Sequence, residues 1–263
     1  PSGDLERLIK ALRNDWDLPE LEADLGVLRT LQPALRKGEW KVTCAVHLGD
    51  DTFSPRIMQV WPGYYDGAIY GLAVDLGSTT IAAHLCDLHT GEVIASSGIM
   101  NPQIRFGEDL MSRVSYGMMN VGGAEEMTLA VREGMNALFV QIAAEAEIDR
   151  KLIVDVVFVC NPVMHHLFLG IDPYELGQAP FALATSESLS LAASELDLTS
   201  INENARVFVL PCIAGHVGAD AAAVALSEAP GKQDDLTLVI DVGTNAEILL
   251  GNESRVLACS SPT

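Results

Sequence analysis

The chain has 263 residues, 49% of them apolar and 20% charged, with 36 acidic against 16 basic side chains and a formal net charge of -20. That length supports one large domain or two ordinary ones with real apolar cores, and the composition excludes a disordered chain. So acidic a surface repels phosphate backbones and anionic lipid, which disfavours nucleic-acid and membrane-surface partners, and no apolar run approaches the roughly 18–20 residues of a membrane helix.

Residues 3–14 place Leu5, Leu8, Ile9 and Leu12 on one helical face. Asp17-Leu18-Pro19 breaks that helix ahead of a second one over residues 21–35, which Gly38 stops. Residues 41–48 alternate as a strand, 49–51 turn, and 57–60 form a further short strand. Residues 1–67 therefore read as a small α+β domain. A different pattern begins at Ala68: strands at 68–74, 80–86 and 93–98, joined by turns at 75–79 and 89–92, predict an antiparallel meander. Helices follow at 108–119 and 124–146, then a strand at 153–160 and a short helix at 162–169 for which Asn161 is a candidate cap. Residues 171–205 are mixed and give no clear element. A strand at 206–210 leads to an Ala-rich helix opened by Gly215 to Gly218 and ending near Gly231. The meander then recurs, with strands at 236–240, 246–250 and 255–259.

The two meanders share a sequence pattern. Leu72-Ala73-Val74-Asp75-Leu76-Gly77-Ser78-Thr79-Thr80 matches Leu238-Val239-Ile240-Asp241-Val242-Gly243-Thr244-Asn245-Ala246: an apolar strand, then Asp, an aliphatic residue, Gly, and hydroxyl or amide side chains. An internal repeat at this spacing outweighs any single motif. Glycine in a turn lets backbone N–H groups approach phosphate oxygens, the flanking hydroxyls and amide add donors, and an Asp at a strand end suits hydrated Mg2+ or a water. One copy alone is ordinarily a capped hairpin turn; two copies facing across a cleft would clamp one nucleotide's phosphates from both sides.

These segments resemble the two phosphate motifs of the actin/sugar-kinase/Hsp70 ATPase superfamily, and Gly215-His216-Val217-Gly218-Ala219-Asp220 resembles its connecting helix. Asn101-Pro102-Gln103, Gly107-Glu108-Asp109 with Ser112-Arg113, Met164-His165-His166-Leu167 and Gly170-Ile171-Asp172-Pro173 are similar to the ATP-dependent reductive activators of corrinoid proteins. The resemblance covers nearly the whole chain. It implies an α/β fold: an actin-like (ribonuclease H-like) lobe with a five-stranded mixed sheet at 68–231, the small domain at 1–67 before it, and the opening meander of a second lobe at 232–263. The implied activity is ATP-dependent reduction of a corrinoid protein from Co(II) to Co(I) in support of a cytoplasmic methyltransferase system, with ATP and Mg2+ as cofactors. The family's N-terminal [2Fe-2S] ferredoxin domain has no counterpart here, because Cys44, Cys86, Cys160, Cys212 and Cys259 form no CxxC pattern and read as reduced core thiols. A homodimer is one arrangement left open, and the stretch by itself is expected to be inactive.

By this resemblance Asp75 and Asp241 hold the Mg2+ and water shell, and Gly77, Ser78, Thr79, Thr80, Gly243, Thr244 and Asn245 contact phosphate. Glu247 either orients the attacking water or faces solvent, and Asp220 either reaches the cleft or stabilises a helix N-terminus. Asn101, Gln103, Asp109 and Arg113 line the cleft or a partner face, or else cap helices and decorate the surface. His165 and His166 are adjacent, which argues against a metal pair. Ser260 and Ser261, placed in a loop after the last strand, are candidates for contact with the corrinoid partner, an ordinary turn being the plainer alternative. Two further functions stay open: a small-molecule kinase of the same superfamily, and a non-catalytic module docking on a corrinoid protein.

Overall fold

The computed structural model describes residues 2–49, 53–243 and 245–262. Of the positions singled out above, Thr244 and the turn residues Asp50 and Asp51 lie outside the described residues.

The N-terminal part packs helices α1 (Asp4–Trp16) and α2 (Leu25–Lys37) on a three-stranded sheet of β1 (Glu22–Ala23), β2 (Val42–His47) and β3 (Arg56–Pro62), in the order β1-β3-β2. The predicted apolar stripe of α1 contributes Leu8 to a core with Val27, Leu31, Leu35, Ile57 and Val60. The second helix starts later than expected. Glu22 and Ala23 pair in parallel with Arg56 and Ile57 instead, and Arg56 grips both Glu22 (2.6 Å) and Asp24 (2.9 Å).

The central sheet contains β4 (Tyr70–Leu76), β5 (Thr80–Asp87), β6 (Val93–Met100), β7 (Ile153–Cys160), β8 (Leu189–Ala192) and β9 (Arg206–Val209), in the order β6-β5-β4-β7-β9-β8. The five expected strands are joined at the edge by a sixth, β8, from the stretch whose pattern was unreadable. It is four residues long and antiparallel to β9, too short to show an alternation. The meander β4-β5-β6 is antiparallel, whereas β4-β7 and β7-β9 are parallel, so the sheet is mixed. Helices α3 (Leu110–Met119), α4 (Gly123–Glu145) and α5 (Pro162–Leu169) make the connection and much of the core. Met127, Val131, Met135, Leu138, Phe139 and Ile142 of α4 bury against Leu72, Val74 and Leu76, which alternate along β4. That alternation leaves Ala73 and Asp75 on the opposite, open face.

Helix α6 (Ala219–Glu228) then carries the chain from the central sheet to the three-stranded antiparallel sheet of β10 (Thr237–Val242), β11 (Asn245–Asn252) and β12 (Arg255–Pro262), and packs against β7, β10 and β11. Its start requires glycine: a Cβ on Gly218 would lie 2.5 Å from the Cys160 carbonyl oxygen and 2.6 Å from the Asn161 Cα. The fully buried Ala219 and Ala221 continue this close approach. Among the described residues no helix is long and apolar enough to cross a membrane.

Candidate functional site: two loops across a cleft

The first loop joins β4 to β5, where Leu76 pairs with Ile81, so residues 77–80 close a tight turn. Gly77 is required by space: a Cβ there would meet the Thr80 carbonyl oxygen at 2.6 Å. Behind the loop, Asn101 Nδ2 donates to the Gly77 carbonyl at 2.8 Å and the Asn101 N–H donates to the Thr79 carbonyl at 2.8 Å. The Arg113 guanidinium donates to the Ser78 carbonyl between them. Three successive carbonyls are thus anchored on the protein side. A trans peptide sets N–H opposite C=O, so the N–H groups of Ser78 and Thr79 turn away from those anchors. Ser78 itself is buried, whereas Thr79 and Thr80 are exposed.

The second loop joins β10 to β11, with the Gly243 N–H donating to the Asn245 carbonyl at 2.8 Å. It is roomier, since a Cβ on Gly243 would find only the Asn245 carbonyl oxygen, at 3.6 Å. Directly opposed residues of an antiparallel pair share a face, and Asp241, Glu247 and Ser260 form one such row across β10, β11 and β12. Ser260 Oγ donates to Glu247 Oε1 at 3.2 Å, and Glu247 is buried, which removes the solvent-facing alternative for it.

Four carboxylates, Asp75, Asp220, Asp241 and Glu247, lie near enough to influence one another. Although Asp75 is exposed on the open face of the sheet, the protein around it strips enough water from its carboxyl to raise it, and the negative charge of Asp241 raises it further. Glu247 is raised first by burial and also by Asp241 and Asp75, against the lowering bond from Ser260. Asp220 is pushed up to about 7, chiefly by burial; the hydrogen bond from the Ala221 N–H (2.7 Å) opposes this, while Glu247, Asp75 and Asp241 add to it. Asp220 is therefore a first-turn residue of α6 that also lies near the other three carboxylates. The aspartates of the two repeats therefore lie near one another, close enough for the charge of Asp241 to act on Asp75. Among the described residues no group of three His, Cys, Asp or Glu side chains is close enough to grip a metal ion directly. The donor set is all hard oxygen and carries excess negative charge, which suits a hydrated Mg2+ held at one remove.

Several expected positions move. Asp75 and Asp241 lie inside their strands rather than in the turns, because the ladders continue to Leu76 and Val242. Ser260 and Ser261 are not in a loop: β12 runs to Pro262, and alternation sends Ser260 toward Glu247 while Ser261, opposite Ala246, stands on the other face. The two hydroxyls therefore stand on opposite faces of the edge strand. Asn101, Gln103 and Arg113 are neither cleft-lining nor superficial but fully buried behind the first loop, and Asp109 caps α3 through the Ser112 N–H. Asn161 caps α5 through the Met164 N–H as expected. His165 and His166 are both buried; the His166 ring spans from the Pro162 carbonyl to the Ala184 N–H. Sequence reasoning missed the bracing role of Asn101 and Arg113, because their partners in the first loop come to them only through the fold.

Known protein families match nearly the whole length in succession: the RACo linker region over residues 1–67, the RACo middle region over 70–229, and the C-terminal domain of RACo, the ASKHA domain, over 235–263. The corrinoid activation enzyme RamQ of Eubacterium limosum is 35% identical over 193 residues, 73% of this chain and 32% of RamQ. The [Co(II) methylated amine-specific corrinoid protein] reductase of Methanosarcina barkeri is 25% identical over 201 residues, 73% of this chain and 36% of that protein. A solved structure of a reductive activator for corrinoid, iron-sulfur protein superposes on all of this chain and 42% of its own, with a TM-score of 0.88 and 32% identity. The chain thus spans about a third of the length of the curated relatives it matches.

Proposed function

The chain belongs to the RACo family, and from that premise we propose that the intact protein is a cytoplasmic ATP-dependent reductive activator of a corrinoid protein, returning Co(II) to Co(I) so that a methyltransferase cycle can resume. The observation that supports the nucleotide half of this reading is the nearness of the two repeats: the charge of Asp241 reaches Asp75, and both act on Glu247. The corrinoid half is supported by the relatives, one a corrinoid activation enzyme and the other a reductase of a Co(II) corrinoid protein. We read residues 1–67, 68–231 and 232–263 as a linking module, a first nucleotide lobe and the opening sheet of a second.

In this proposal Gly77, Ser78, Thr79 and Thr80 on one side, and Gly243, Thr244 and Asn245 on the other, bind the phosphate tail. Asp75 and Asp241 hold the water shell of Mg2+, which when bound neutralises phosphate charge. Glu247, fixed by Ser260, orients the attacking water. Asp220, with its carboxyl near 7, accepts the proton that water releases. The iron-sulfur ligands of the proposed electron donor do not fit here: Cys44, Cys86, Cys160 and Cys259 sit on four different strands and Cys212 follows β9, and the described residues offer no metal-holding cluster. Ser260 and Ser261 remain proposed for the corrinoid face only singly, with Ser261 as the exposed one.

ATP contributes by stabilising one lobe arrangement that prefers the Co(II) partner, so binding and turnover drive docking and release. The test is to mix the intact protein, a reductant and the Co(II) corrinoid partner, and to follow Co(I) by its visible spectrum. Co(I) that appears only with Mg2+ and ATP supports the proposal; equal rates without nucleotide would refute it.

A further inference from the structure

We propose that Arg113 is a positioning residue for the first phosphate loop, bracing its carbonyls from behind and placing an unpaired positive charge beneath the phosphate tail. This rests on the nucleotide reading above and extends it to a residue that does not touch the cleft.

Arg113 is fully buried, and among the described residues its hydrogen-bond acceptors are neutral. Its Nε donates to the Gly107 carbonyl at 2.9 Å, Nη1 to Gln103 Oε1 at 3.3 Å and Met164 Sδ at 3.1 Å, and Nη2 to the Ser78 carbonyl. Among the described residues no carboxylate forms an ion pair with it; Asp109 acts on it only at longer range. Burial lowers its guanidinium to about 10, which leaves it charged at neutral pH. A buried charge is costly and is ordinarily paired; a bound polyphosphate would supply Arg113 with such a partner. The loop it holds adjoins Asp75, whose charge and those of Asp220, Asp241 and Glu247 would repel a bound polyphosphate. Asn101 and Gln103 complete the bracket: Asn101 holds Gly77 and Thr79, and Gln103 anchors itself through Nε2 to the Met127 carbonyl at 2.9 Å.

A brace and a charge have separable consequences. In the intact protein, Arg113→Met removes both, whereas Arg113→Lys keeps the charge and loses the planar fork. Affinities for ATP and ADP with Mg2+ are measured by calorimetry, and hydrogen exchange of the 76–80 peptide is followed without nucleotide. Arg113→Met is expected to weaken ATP by roughly tenfold or more and ADP by distinctly less, as a Coulomb term scaling with phosphate charge requires. Arg113→Lys is expected to restore most of that ATP preference, yet to share the faster exchange at 76–80. If Arg113→Met does not fold, the exchange test is carried by Arg113→Lys. Equal losses of ATP and ADP, or none, overturn the charge role. Wild-type exchange at 76–80 in folded Arg113→Lys overturns the bracing role. A wild-type protein that binds neither nucleotide overturns the nucleotide reading and the charge role together, and leaves bracing to be judged by exchange alone.

Discussion

The two copies of the strand–Asp–x–Gly–strand pattern differ in what stands behind them. The first is packed in: Gly77 is hemmed by the Thr80 carbonyl, Ser78 is buried, and Asn101 and Arg113 hold three carbonyls from the rear. The second is open. Gly243 and Val242 are exposed, and the outer face of its sheet shows Leu238, Ile240 and Leu257 at 57%, 52% and 50% exposure. Only the inner face, where Leu249 is buried and α6 packs, is covered. The same motif therefore obtains its shape from its surroundings in one case and from its own turn in the other. Equivalent substitutions should have equal chemical effects but unequal structural ones.

The largest effects should be the symmetrical ones. Asp75→Asn and Asp241→Asn in the intact protein should each lower ATP turnover by about 10²–10³-fold, the scale of losing one preorganised electrostatic contact. Steady-state kinetics that spare one of the two would break the equivalence of the loops. Next comes the asymmetry itself. Gly77→Ala forces a Cβ to 2.6 Å from a carbonyl oxygen and should cost about 2–3 kcal/mol, whereas Gly243→Ala meets nothing nearer than 3.6 Å and should stay within about 0.5 kcal/mol. Urea midpoints of the two variants check this.

Asp220, set between the loops, gives a pH signature. Its folded carboxyl ionises near 7 against an ordinary 3.8, so between those values the folded state holds the extra proton and stability falls as pH rises. Asp220→Asn should flatten this slope by about 2 kcal/mol, allowing for its coupling to three other acids; urea midpoints at pH 5 and pH 8 without nucleotide measure it. The smallest effect is expected at Ser260→Ala, which removes one hydrogen bond to Glu247 and should cost about 0.5–1 kcal/mol. Because that bond lowers the Glu247 carboxyl, its loss should also shift the acid limb of the pH–turnover profile upward.

Much of this arrangement was legible in the residues. Short apolar runs such as 68–74 and 236–240, separated by tight turns, marked the two meanders, and the repeated Asp and Gly marked their resemblance to each other. Gly218 with Ala219 and Ala221 signalled the close crossing of α6. What stayed hidden depended on tertiary partners. The four-residue strand β8 exists only because β9 offers it an edge, and Glu22–Ala23 is extended because β3 lies alongside. Arg113 has the local pattern of an exposed helical arginine, and only the fold brings Gly107, Gln103, Met164 and Ser78 around it. Ser260 and Ser261 were misplaced because two serines before a proline read as a turn, while pairing with Glu247 and Ala246 keeps them in a strand.

The most direct test of the paired-loop account is a crystal structure of the intact protein with Mg2+ and a non-hydrolysable ATP analogue. The account predicts a phosphate tail lying between the backbone amides of residues 77–79 and those of 243–245, with the metal's waters on Asp75 and Asp241. A tail bound against one loop alone, or outside the crevice, would contradict it.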